Sequence, residues 1–66
     1  MPSTAIQFYR YDASKRTLLI VFTSGRRYLY AEVPPLVAAA LDAAESKGAF
    51  VNAEIRDRYA YREIGR

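Results

Sequence analysis

The chain has 66 residues, ten Lys or Arg against seven Asp or Glu, six Tyr, three Phe, and neither Cys nor His. It is long enough for one domain with one small core, and its formal charge of +3 tilts its surface mildly toward anionic partners. The absent residue types exclude disulfides, thiolate nucleophiles and imidazole proton shuttles or metal ligands.

In chain order, residues 5–12 (Ala5 to Asp12) are rich in aromatics and predict a strand. Asp12-Ala13-Ser14-Lys15-Arg16 predicts a polar turn. Thr17 to Thr23 predicts a second strand, with Leu18, Ile20 and Phe22 on its more apolar face. Arg27 to Glu32 predicts a third, joined to the second as a hairpin. A three-residue loop, Thr23-Ser24-Gly25 with Gly25 left-handed, opposes Ile20 to Tyr28 and Leu18 to Tyr30, so both tyrosines share the apolar face. A two-residue loop sends them to the other face. Ser-Gly lacks the Asn-Gly or Asp-Gly signature of such loops, which favours the longer one. Tyr9 and Tyr11 have strand parity opposite to Ile6 and Phe8, so one of those sets is exposed unless a bulge intervenes.

Pro34-Pro35 ends the sheet segment and opens a helix, in which Leu36, Val37, Ala40, Leu41 and Ala44 recur at helical spacing while Asp42 and Glu45 point elsewhere. Gly48 is its expected C-terminal cap. Asn52 is the expected N-cap of a second, short helix running to about Tyr59, with Ile55 and Tyr59 on one face and Glu54/Arg58 as an i,i+4 pair. The predicted fold is α+β: a three-stranded antiparallel sheet, then two helices on one of its faces, in a single domain spanning 1–66.

Catalysis has little to draw on. The serines at 3, 14, 24 and 46 have no histidine and no Ser-x-x-Lys spacing to activate them. Asp42/Glu45 and Glu54/Asp57 are carboxylate pairs of the kind common on solvated helix faces. The expectation is a non-enzyme without cofactor, metal or small-molecule substrate. The longest wholly apolar run, Leu18 to Phe22, is too short for a membrane span, and the N-terminus lacks a charged segment followed by a hydrophobic one, so a cytoplasmic protein is expected. Lys47-Gly48-Ala49-Phe50-Val51 echoes an RNA-recognition strand motif but lacks its spacing and closing aromatic.

Basic and aromatic residues offer more. Arg26 and Arg27 stand at the hairpin tip beside Tyr28 and Tyr30, and Arg56 and Arg58 lie in a C-terminal segment with Arg62 and Arg66. On one common face they would form a phosphate-binding rim around tyrosine rings. Separately placed, the arginines solubilise an aromatic-rich domain and the tyrosines pack in its core with hydroxyls at the rim.

Several segments together carry a family resemblance: Ile6, Tyr11-Asp12, Leu18-x-Ile20-x-Phe22-x-Ser24-Gly25, Tyr28-x-Tyr30, Val33-Pro34, Ala44-x-Ser46-x-Gly48, Phe50-Val51-Asn52, Ile55-Arg56 and Tyr59-x-Tyr61. In this combination the chain resembles the KTSC domain, known as small stand-alone bacterial proteins and as a C-terminal segment of some lysyl-tRNA synthetases. Val51 departs from the aromatic often found there, and Ala38 and Ala39 replace bulkier residues. The resemblance implies no particular reaction. Through the synthetases it implies RNA as a partner and no particular site; the basic clusters beside aromatics put Arg26, Arg27, Arg56 and Arg58 on phosphate, with Tyr28 or Tyr30 stacking if its ring is exposed. A protein-interaction module, self-associating through an aromatic face or a sheet edge, is the alternative.

Overall fold

The computed structural model describes residues 6–65, so the predicted start of the first strand at Ala5 lies outside the described residues. β1 (Ile6–Asp12), β2 (Thr17–Phe22) and β3 (Arg27–Tyr30) succeed one another as expected. A fourth strand, β4 (Tyr61–Ile64), corrects the three-stranded prediction: it pairs antiparallel with β3 and completes a sheet of order β1-β2-β3-β4.

The β2–β3 hairpin has the longer loop. Gly25 N–H donates to the Phe22 carbonyl (2.8 Å), Phe22 N–H donates to the Arg26 carbonyl (2.9 Å), and Gly25 sits at φ +96. Only glycine adopts that conformation without a steric cost, so Ser24-Gly25 fixes the register, and Ile20 opposes Tyr28 while Leu18 opposes Tyr30. The β1–β2 turn is held by the Asp12 carboxylate, which accepts from Ser14 Oγ (2.8 Å) and from the backbone N–H groups of Ser14 (3.1 Å) and Lys15 (3.3 Å). These bonds favour the charged carboxylate and lower its pKa.

A bulge resolves the parity conflict in β1. Ile6 opposes Phe22 but Phe8 opposes Val21, so the register shifts across Gln7 and returns Ile6, Tyr9 and Tyr11 to one face. Phe8 is left on the other face, 51% exposed.

Two segments cover the Tyr9/Tyr11 face. α1 (Pro35–Ala43) begins at the second proline, which fits a first helical turn that needs no N–H donor. It is rotated from the expected orientation. Leu41 is fully buried and Val37 packs against the core, whereas Ala40 is exposed and Leu36 is 80% exposed. The rotation turns toward β1 a residue expected to face away, Asp42, whose carboxylate accepts from the Tyr9 hydroxyl. Tyr11 adds a second tie, donating to the Val33 carbonyl at 2.7 Å.

Gly48 does not cap α1. That helix stops at Ala43, Ala44 is extended, and Lys47 Nζ donates to the freed carbonyls of Asp42 (3.3 Å) and Ala44 (3.2 Å). Gly48 lies inside α2 (Lys47–Phe50), whose N-cap is Ser46 rather than Asn52, with Ser46 Oγ accepting from Ala49 N–H at 3.3 Å. The helix then widens into a π-turn, Val51–Ile55, closed by Arg56 N–H on the Val51 carbonyl at 2.8 Å. It ends well before Tyr59. Asn52 instead accepts from Arg56 Nη1 (3.0 Å), and the ion pair found among the described residues is Arg26–Glu63 at 3.7 Å, not Glu54–Arg58.

Leu18, Ile20, Phe22, Tyr30, Val33, Leu41, Val51 and Ile55 form the buried core between sheet and helices. No described helix is long and apolar enough to cross a membrane.

Candidate nucleic-acid interface

On the covered face, the register lines up Tyr11, Leu18, Tyr30 and Tyr61 across the four strands, with Tyr9, Ile20, Tyr28 and Glu63 beside them. Tyr30 and Leu18 lie under the helices. Toward β4 the helical cover thins, because α2 and the π-turn end at Ile55, and a recess of about 300 Å³ opens between β3, β4 and the π-turn.

Three tyrosines and Phe22 line it as one interlocked group. The Tyr28 ring meets Phe22 edge-on at 5.5 Å and Tyr61 edge-on at 5.1 Å, and Tyr61 meets Tyr30 at 5.3 Å. Edge-to-face contacts fix ring orientation through the ring quadrupoles, so these walls are preorganised. They differ in access. Tyr30 is buried, Tyr28 half-buried and Tyr61 54% exposed. Burial, reinforced by the neighbouring Tyr61, pushes the Tyr30 hydroxyl pKa up, with the Arg56 guanidinium opposing.

Charge enters from two sides. Arg26 reaches in from the hairpin loop, its Nη1 donating to the Tyr28 hydroxyl at 3.4 Å with Glu63 beside it. The hydroxyl and then the carboxylate raise its pKa further, so it stays cationic. Arg56 and Asp57 come from the opposite wall, immediately after the π-turn. The extra residue in the π-turn rotates the chain downstream of it, so the bulge sets where these two side chains emerge.

Four of the six residues singled out from the sequence, Arg26, Tyr28, Tyr30 and Arg56, therefore meet in one recess. Two do not. Arg27 opposes Val21 and stands on the other sheet face, and Arg58 is exposed in the turn beyond the π-turn, outside the recess lining. Asp57 and Tyr61 also line the recess; Asp57 has no sequence signal for this beyond its carboxylate pair with Glu54, and Tyr61 stands outside those six residues although its pairing with Tyr59 leaves it a candidate exposed ring. The period-two Tyr61/Glu63 alternation beside the charged Arg62 was the available signal, and it reads as a strand only once β3 offers it an edge.

No described helix covers the opposite sheet face. Its cross-strand lines are Phe8, Val21, Arg27 and Ile64, then Arg10, Leu19, Leu29 and Arg62, which makes an apolar stripe ended by arginines. Glu54 and Asp57 are both exposed, and among the described residues no three potential metal-ligating side chains gather.

Residues 2–59 match the KTSC domain. A protein of Tsukamurella paurometabola is 47% identical over 57 residues, covering 86% of this chain and 85% of that protein. The lysine–tRNA ligase of Trichormus variabilis is 37% identical over 59 residues, 89% of this chain, and the one from Nostoc punctiforme is 36% identical over 61 residues. The chain spans only 10% and 11% of the length of those ligases. The crystal structure of a KTSC domain protein from Yersinia pestis superposes with a TM-score of 0.86 at 33% identity, covering 98% of this chain and 92% of that one.

Proposed function

The chain belongs to the KTSC domain family, and we propose that it is a non-catalytic, RNA-associated module that contacts single-stranded RNA through the recess. The observation that carries this reading is the convergence of Arg26 and Arg56 on an exposed tyrosine ring, Tyr61, braced by Tyr28 and Tyr30. An aromatic face stacks any base, and guanidinium groups beside it neutralise the adjoining phosphates. The matching segment in lysine–tRNA ligases gives the reading a context in which RNA is at hand. The lack of His and Cys, together with the exposure of Glu54 and Asp57, supports the non-catalytic part.

Titrating isotope-labelled protein with single-stranded and hairpin RNA, at low and at physiological salt, tests it. Localised shifts at Arg26, Tyr28, Arg56 and Tyr61 that weaken with salt are expected. Absence of localised shifts, or binding indifferent to salt, would sink the idea.

The bare sheet face favours a second reading, a protein-interaction module. Leu19, Val21, Leu29 and Ile64 there are only partly covered, and Phe8 projects beside them. Three arginines on this face repel a like-charged copy, so a self-associating form has to offset them. Sedimentation over a wide concentration range, with pull-down from host lysate, addresses it: a strict monomer without any protein partner removes this reading.

A further inference from the structure

The recess carries a carboxylate that phosphate binding does not explain. Asp57 lines it beside Arg56 and Tyr61, yet among the described residues its side chain has neither a hydrogen bond nor an ion pair. Each neighbouring cation is engaged through one nitrogen, Arg56 Nη1 with Asn52 and Arg26 Nη1 with Tyr28 and Glu63, which leaves their other guanidinium N–H groups for a phosphate. A free carboxylate repels a phosphate chain, and it becomes favourable only when the ligand brings hydrogen-bond donors to it.

Size and shape narrow the donor. A cavity of about 300 Å³ lies at the small end of ligand pockets, which suits one nucleotide and not a helix. Bases within a duplex turn their pairing edges toward each other, so an edge available to Asp57 belongs to an unpaired nucleotide. Guanine alone among the four bases sets two N–H donors, N1–H and N2–H, side by side on that edge, matching the two oxygens of a carboxylate. Uracil flanks its single N–H with carbonyls. Adenine and cytosine place an acceptor nitrogen next to the amino group. A site built to receive donors discriminates against ligands that present acceptors there, because its polar groups are then left unpaired.

We infer that the recess selects a single unpaired guanine nucleotide, with Tyr61 against the ring, Asp57 on the pairing edge, and Arg56 and Arg26 toward the phosphate. This rests on the RNA reading above and assigns Asp57 as its specificity residue. The sequence shows Asp57 only as half of a carboxylate pair with Glu54.

The test compares short oligouridylates carrying one central guanosine, adenosine or cytidine with plain oligouridylate and with free 5′-GMP, on the wild-type chain and on Asp57→Asn. The guanosine oligomer is expected to bind about tenfold or more tighter than the others, a gap in keeping with one well-made base contact. Asp57→Asn should bring all oligomers within about threefold of one another while binding persists, since an amide mixes one acceptor with donors. Asp57 is exposed, so this variant tests recognition with little disturbance of the fold. Equal affinity for every oligomer in the wild type overturns the guanine assignment and leaves the RNA reading standing. Free 5′-GMP binding as tightly as the guanosine oligomer keeps the guanine site and overturns the RNA reading. No binding of any oligomer or of GMP overturns both.

Discussion

The two faces of the sheet are built from the same strands and have opposite characters. Along β2, Leu18, Ile20 and Phe22 are buried beneath the helices, while Leu19 and Val21, their immediate neighbours, are only partly covered. The covered face uses its polar atoms as fixed struts: Tyr9 to Asp42, Tyr11 to Val33, Tyr28 to Arg26. The bare face carries Arg10, Arg27 and Arg62, which have no side-chain partner among the described residues. Aromatic content alone therefore does not mark a binding surface. Tyrosines that look alike in the sequence serve as core, strut or accessible wall according to how far the helices extend over them.

Truncation along β2 gives the largest contrast between the faces. Ile20→Ala removes a fully buried side chain and should cost about 2–5 kcal/mol, enough to endanger a domain of this size. Leu19→Ala, one residue away on the bare face, should cost clearly less. Urea denaturation of both variants measures the gap, and equal losses would mean that the bare face is covered in solution.

Tyr11→Phe comes next. It deletes the hydroxyl that bonds the Val33 carbonyl at 2.7 Å and should cost about 1 kcal/mol, read as a drop of about 4–8 °C in Tm. No change would show that this strut contributes nothing beyond ring packing.

Alkaline titration separates the faces more gently. Tyr30 has its pKa raised in the folded state by burial, so the folded protein holds that proton more tightly than the unfolded chain does. Its contribution to stability is complete below the unfolded value near 10 and is lost as pH rises through the folded value. Denaturation midpoints across alkaline pH should therefore fall, and Tyr30→Phe should make the fall shallower. A variant whose midpoint declines as steeply as the wild type would remove Tyr30 from this role.

The slightest change belongs to Asp12, whose pKa is lowered by Ser14 and Lys15. Its turn bonds stabilise the fold above the unfolded carboxylate value and weaken as pH falls through the lower folded one. Asp12→Asn should flatten the acid limb of the stability profile slightly, and an unchanged limb would contradict this.

Local chemistry made much of this architecture legible in the sequence. Ser24-Gly25 specified the hairpin loop and, through it, the burial of Tyr30; Pro34-Pro35 specified where α1 begins. What escaped depends on contacts distant along the chain. β4 has only Tyr61 and Ile64 as large apolar residues, on opposite faces, and it forms because β3 presents a free edge some thirty residues upstream. The orientation of α1 goes together with a bond from Tyr9 to Asp42, which no helical wheel contains. The recess was half legible for the same reason. Its arginines and central tyrosines belong to local motifs, whereas Tyr61 needed β4 and Asp57 needed the π-turn.

If RNA binds on the covered face at the recess and not on the bare face, two pairs of arginines must differ sharply in their effect on affinity. The decisive experiment sets Arg26→Gln with Arg56→Gln against Arg27→Gln with Arg62→Gln, each double variant titrated with one single-stranded RNA over a series of salt concentrations. The recess pair should weaken binding about tenfold or more and make its salt dependence shallower, by about 0.7 in log–log slope for each phosphate no longer neutralised. The Arg27/Arg62 pair should stay within about threefold of wild type. The reverse pattern, with the recess pair near wild type and the bare-face pair reducing both affinity and slope, would contradict binding at the recess.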